Sequence, residues 1–230
     1  MFAVVLLVFL AAALGARWLK PPRPQGLPDD AAVRAAQALL RDVLPVTSGP
    51  LRFRCELVGA GAEEPPGASF RRELGAGEAA RVAAAEQWLL TARQRHRRDV
   101  RLECAIAHLD LTAQRYERAE RRYREALDRA PRYGEARLGL GVTLALAAAT
   151  GGDRSRARRL RLQAIAQLAA VEPDDPSYLP ALYDRALLLG QVGRREEALR
   201  WARRYLEREP AGRWAEALAR ELGLGKAGPA

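Results

Sequence analysis

An all-α architecture, a linear array of antiparallel helical hairpins (an α-solenoid), is what this 230-residue sequence predicts, on three observations. Alanine and leucine fill most apolar positions while aromatics make up only 6%, and both are strong helix formers with little branching cost. From Glu78 to the C-terminus, helix-like stretches alternate with short turns. Prolines at 131, 173 and 210 divide that region at intervals of 42 and 37 residues, as a repeated helical pair would.

The chain begins with Phe2 to Ala16, an uninterrupted apolar run followed by Arg17-Trp18-Leu19-Lys20. No polar face interrupts it, so it does not read as a soluble core helix. Residues 1–20 are expected to be a single-pass membrane anchor, since Arg17 can snorkel and Trp18 suits the headgroup zone. A cleaved signal segment is the alternative, with Ala11-Ala12-Ala13 as a small-residue site but no basic residue ahead of the run. Arg17, Lys20 and Arg23 all follow the run, which by the positive-inside rule places the soluble part in the cytoplasm. A periplasmic or extracellular location is the alternative. Residues 21–28 carry four prolines and read as a stiff spacer.

Residues 29–77 form the next unit. Asp29-Asp30 caps an amphipathic helix that ends before Pro45, with Val33, Ala36, Leu39, Leu40 and Val43 or Leu44 on its apolar side. Leu51 to Leu57 alternates apolar and charged residues, a strand-like period of two. With Ser69–Leu74 beyond a Gly/Pro-rich loop, it suggests a small β-hairpin elaborating a helical chain. A helix from Gly77-Glu78 to Arg95 follows, with Trp88, Leu89 and Ala92 on its apolar side.

Residues 78–222 carry the repeats, and here a resemblance becomes residue-specific. Counting back from Pro131, Ala107, Ala119 and Ala126 occupy positions of close helix crossing and Tyr123 an aromatic one. Counting back from Pro210, Ala186 and Ala198 take small positions and Gly193 the turn, while Ala202 stands at the aromatic position and Tyr205 where alanine is usual. Between them Gly141 fits a small position, and Ala149 to Asp153 lengthens a turn before a helix through Ala169. Ala85, Leu89 and Ala92 suit the second helix of a worn further unit, and Arg213 to Leu222 a polar-backed capping helix. This pattern resembles the tetratricopeptide repeat (TPR) family, of bacterial type, whose unit is about 34 residues. Residues 223–230 are a tail.

The resemblance implies a binding scaffold. Its groove is lined by the first helix of each unit, which transfers to Arg101, Cys104, His108 and Thr112, then Glu135, Leu138, Val142 and Ala145, then Tyr183, Leu187 and Gln191. The core set for a protein or peptide partner is Arg101, His108, Thr112, Leu138, Val142, Tyr183, Leu187 and Gln191. The groove is mixed, with an apolar middle suited to an apolar or amphipathic helix or an extended segment.

Chemistry finds little purchase. No nucleophile elbow, phosphate-binding glycine loop or zinc-type histidine pair is present, so no enzyme and no cofactor are expected. Cys104 and His108 stand four apart on one helix, but no third ligand is evident, so no metal is expected. Cys55 and Cys104 read as buried free thiols, though they could pair outside the cytoplasm. The net charge of +10 comes almost wholly from arginine, interleaved with glutamate as in Glu117–Arg122. That interleaving reads as a solvated face with intrahelical pairs rather than a nucleic-acid surface. A surface-attached binder of nucleic acid or anionic lipid, or a secreted accessory protein, are the alternatives to a membrane-tethered scaffold.

Overall fold

The computed structural model describes residues 30–43, 51–58 and 74–224. The apolar run, the proline spacer, residues 69–73 of the expected hairpin and most of the tail lie outside the described residues.

Among the described residues there are nine helices and no strand. They are α1 (Ala31–Val43), α2 (Ala76–Arg95), α3 (Val100–Thr112), α4 (Tyr116–Arg129), α5 (Gly134–Thr150), α6 (Arg154–Ala169), α7 (Tyr178–Gln191), α8 (Arg195–Leu206) and α9 (Arg213–Leu222). Asp30 caps α1 by accepting from the Ala32 amide at 2.7 Å, Asp99 caps α3 and Asp153 caps α6. No described helix is long and apolar enough to cross a membrane.

Helices pack in consecutive pairs, α1/α2, α3/α4, α5/α6 and α7/α8, with α9 against α7 and α8. The first helices also touch one another, α3 to α5 and α5 to α7, whereas the backbones of the second helices stay farther apart, α2 and α4 meeting through the Arg118–Glu86 ion pair at 2.9 Å. First helices therefore crowd the inner, concave side of a curved stack.

The repeat register holds at the crossings. Ala107, Ala119, Ala126, Ala186, Ala198 and Ala202 are completely buried, as is Tyr123. Tyr123 lies so close to Gly139 that a Cβ there would sit 2.4 Å from its ring. A Cβ on Gly141 would press on Leu168 at 2.9 Å. The turns of the second and fourth hairpins share one geometry, which the longer α5/α6 turn, with Gly151 at φ −86°, does not adopt. Gly193 has φ +82° and Gln114 has φ 57°, and the amides of Arg194 and Arg115 reach back to the carbonyls of Leu189 and Asp110. These are left-handed closures of the Schellman type. Gly223, at φ +63°, ends α9 in the same way.

Leu51–Cys55 runs without regular structure into a turn closed by the Val58 amide on the Cys55 carbonyl, and forms no strand among the described residues; its alternation leaves Leu51, Phe53, Cys55 and Leu57 buried on a helical surface, while the expected partner at 69–73 lies outside the described residues. Two expectations are corrected. Trp88 is 45% exposed, because Leu89 faces the packed side and its neighbour is turned about 100° away from it. The arginine–glutamate interleaving is not only a solvated face. Asp110, completely buried, meets Arg115, Arg118 and Arg122, while Glu103 meets Arg93 and Arg122. These contacts bind α2, α3 and α4 together. Arg124–Glu120 is the intrahelical kind expected.

Candidate functional site

The groove is not empty. Residues 51–58, which belong to the connection between α1 and α2, cross the inner face from the fourth hairpin back towards the first. Near α7, the Arg52 amide donates to Asp184 Oδ1 at 2.7 Å. Its guanidinium donates to the Tyr205 hydroxyl at 2.5 Å and to Glu209 at 3.0 Å. It also stands 5.2 Å from the Trp214 ring centroid and 5.6 Å from that of Tyr205. Two aromatic rings thus face the cation, and Tyr183 packs edge-on against both of them.

In the middle of the groove Phe53 stacks edge-on on His108, with centroids 4.3 Å apart. The Glu56 amide donates to Glu135 Oε2 at 2.6 Å, and the Tyr133 hydroxyl donates to Glu56 at 2.8 Å. At the far end the Gln37 side chain of α1 donates to the Leu57 carbonyl at 2.8 Å. Two main-chain amides of the segment are thus satisfied by carboxylates of the array. This is how an extended ligand docks on a helical surface that offers no strand edge.

Tyr205, which stands where the repeat ordinarily has alanine, has a role in this arrangement. Its hydroxyl donates to Glu209 at 2.7 Å while accepting from Arg52. Burial and the bond to Glu209 push its phenol far above the usual range.

Of the eight groove residues expected from the sequence, seven are buried: Arg101, His108, Thr112, Leu138, Val142, Tyr183 and Leu187. Gln191 is exposed. His108 contacts the segment directly and Tyr183 packs on the two rings that face Arg52. Arg101 is turned back onto Asp99 at 2.6 Å, and the Thr112 hydroxyl donates to the His108 carbonyl. Sequence reasoning missed Arg52, Phe53, Asp184, Glu209 and Trp214, and the place of Cys55.

A polar cluster lies under the segment. His108 Nε2 is 2.8 Å from Glu135 Oε1, Nδ1 meets the Tyr123 hydroxyl, and Cys55 adjoins both His108 and Glu135. Cys55 and Cys104 are free and buried; burial, and then the charge of Glu135, push both thiols well up. Such thiols are poor nucleophiles. Burial raises the Glu56 carboxyl as well. Asp175, expected to be a turn residue, accepts from the Ser177 amide at 2.8 Å and packs on Gly134.

Outside the groove, α6 carries Arg154, Arg156, Arg158, Arg159 and Arg161, none within ion-pair distance of a described carboxylate. Arg154, Arg158 and Arg161 line an open cleft of about 400 Å³ with Gly151 and Gln191.

No family model matches the sequence, and no curated protein matches it. Among solved structures, the chain is similar to a thermophilic TPR protein of Thermus thermophilus. The two are 23% identical with a TM-score of 0.56, over 64% of this chain and 77% of that one. That likeness establishes a TPR-like helical fold.

Proposed function

From a TPR-like array with an occupied inner face, we propose that the protein is a protein-interaction scaffold rather than an enzyme. Its groove takes an extended peptide segment, and its N-terminal apolar run tethers it to a membrane. The docked 51–58 segment carries this reading. It is a ligand supplied by the chain itself, held by main-chain bonds to Asp184 and Glu135 and by side-chain anchors against two aromatic rings and on His108. A partner would present the same chemistry, an extended stretch with a cation followed by an aromatic residue, and would have to displace the resident segment. Fit in pockets plus main-chain bonding is how such grooves combine specificity with affinity.

Peptide display on the Arg52→Ala/Phe53→Ala chain tests this. Selected sequences are expected to place arginine or lysine next to an aromatic, and Tyr205→Phe or Asp184→Asn should weaken them. Selection of no consensus, or of sequences indifferent to both substitutions, would sink the reading.

The arginines of α6 support a second reading, a surface for anionic lipid or nucleic acid. Salt separates the two: binding through α6 would fall steeply between low and moderate ionic strength, and groove binding far less.

A further inference from the structure

The point where segment and array meet has the makings of a metal centre. Cys55, His108 and Glu135 each offer one donor atom, all within 4.8 Å of one another and all buried. They come from three separate places, the segment, α3 and α5, so only the docked conformation assembles them. Spacings of that size suit ligands gathered about one small cation.

Two of the three donors are aimed by a further group. The Tyr123 hydroxyl holds Nδ1 of His108, leaving Nε2 to face Glu135 Oε1. Glu135's other oxygen takes the Glu56 amide at 2.6 Å and the Tyr133 hydroxyl at 3.3 Å. A metal-bound imidazole ordinarily has its second nitrogen bonded, and a metal-bound carboxylate its second oxygen. The charge on Glu135 leaves room for a cation: no arginine or lysine of the described residues forms an ion pair with it, whereas Glu56, tied to the cluster by the Tyr133 hydroxyl, has the charges of Arg101 and Arg54 near it.

We propose that Cys55, His108 and Glu135 bind a divalent, thiophilic cation of the zinc class, which fastens the 51–58 segment to the inner face of the array. Sulfur and imidazole donors favour zinc over magnesium or calcium. On binding, Cys55 loses its proton to solvent and its sulfur becomes a thiolate ligand. The His108–Glu135 hydrogen bond gives way to two bonds to the metal, and the imidazole proton sits on Nδ1 facing Tyr123. Three ligands leave one tetrahedral position for solvent or a group from outside the chain. Cys104, the cysteine that sequence spacing paired with His108, is not among the convergent donors.

The inference rests on the docking of the segment but not on its role as a stand-in for a partner. The full chain, stripped with a chelator and re-equilibrated, is titrated with zinc and with cobalt(II). One equivalent per chain is expected, with a thiolate-to-cobalt charge-transfer band. Cys55→Ser should abolish the band and weaken zinc at least tenfold. Tyr123→Phe should weaken it about 10- to 100-fold with every ligand in place, and Cys104→Ser should leave it unchanged. Should Cys55→Ser fail to fold, Glu135→Gln is expected to weaken zinc at least tenfold while the thiolate-to-cobalt band persists at saturation. Added zinc should slow amide exchange in residues 51–58 of the wild type. A folded chain that takes up no stoichiometric zinc overturns the proposal, and leaves a neutral hydrogen-bonded cluster in its place. So does zinc binding that survives Cys55→Ser and His108→Ala alike, which would put the ion elsewhere, for instance at Asp30 and His96. Either failure leaves peptide selection by the groove untouched, so the two readings fail separately.

Discussion

Arg52→Ala is the perturbation that most sharply separates a docked segment from an integral part of the fold. It removes the guanidinium's bonds to the Tyr205 hydroxyl and to Glu209, together with its place beside Trp214. Hydrogen bonds to charged groups contribute about 1.5–3 kcal/mol each, and the aromatic contact about 0.5–1 kcal/mol or more. Glu209 is 27% exposed and rehydrates once released, which offsets part of the loss. The bond from the residue 52 amide to Asp184 survives. The net cost to docking is about 2–4 kcal/mol, a factor of roughly 30 to 1,000 in the opening equilibrium. Hydrogen exchange reads it directly. The Glu56 amide, bonded to Glu135 in the docked state, should exchange faster by that factor. Amides in the middle of α4 should keep their rate. Arg54→Ala, whose side chain makes no hydrogen bond or ion pair with a described residue and acts on Glu56 through charge alone, should leave the Glu56 amide within about 0.5 kcal/mol of wild type. The reasoning is refuted if Arg52→Ala accelerates α4 as much as the segment, or leaves Glu56 unchanged.

Other substitutions test the frame that carries the groove. Gln114→Gly should raise stability by about 0.5–1 kcal/mol in chemical denaturation, since it relieves a left-handed residue, while Gly193→Ala should lower it by about 1–2 kcal/mol. Gly139→Ala drives a Cβ into the Tyr123 ring and should cost about 1–3 kcal/mol of unfolding free energy in chemical denaturation. Asp110→Asn removes the buried charge shared by Arg115, Arg118 and Arg122, each of which keeps a second carboxylate in Glu86 or Glu103, and should cost about 1–3 kcal/mol of unfolding free energy in chemical denaturation, more than Glu120→Gln on α4.

The repeat frame was legible because its determinants are local. Small residues at Ala107, Ala119, Ala126, Ala186 and Ala198 mark crossings, and a turn glycine at Gly193 marks a closure; both can be counted along the chain. The place of α9 was legible for the same reason. The α3 turn hid its equivalence to that of α7, since Gln114 adopts by tertiary constraint what Gly193 adopts freely. What occupies the groove was not legible, because no local rule says that residues 51–58 return across α7, α5 and α3. Two signals pointed there. One was the alternation of Leu51–Leu57, which marks a segment with one buried side. The other was Tyr205 in an alanine position, a departure that marks the pocket for Arg52. The cluster at Cys55 stayed hidden because the helical spacing of Cys104 and His108 drew attention to the wrong cysteine.

The proposed peptide groove on the inner face is closed by the chain's own segment. Calorimetric titration of a synthetic peptide spanning residues 50–58 tests it most directly. The Arg52→Ala/Phe53→Ala chain is expected to bind the peptide one to one, and to lose that binding with Asp184→Asn, while the wild type, its groove filled, gives no heat at the same concentrations. Equal binding by both chains, or none by a double variant whose helical circular dichroism is intact, would contradict it.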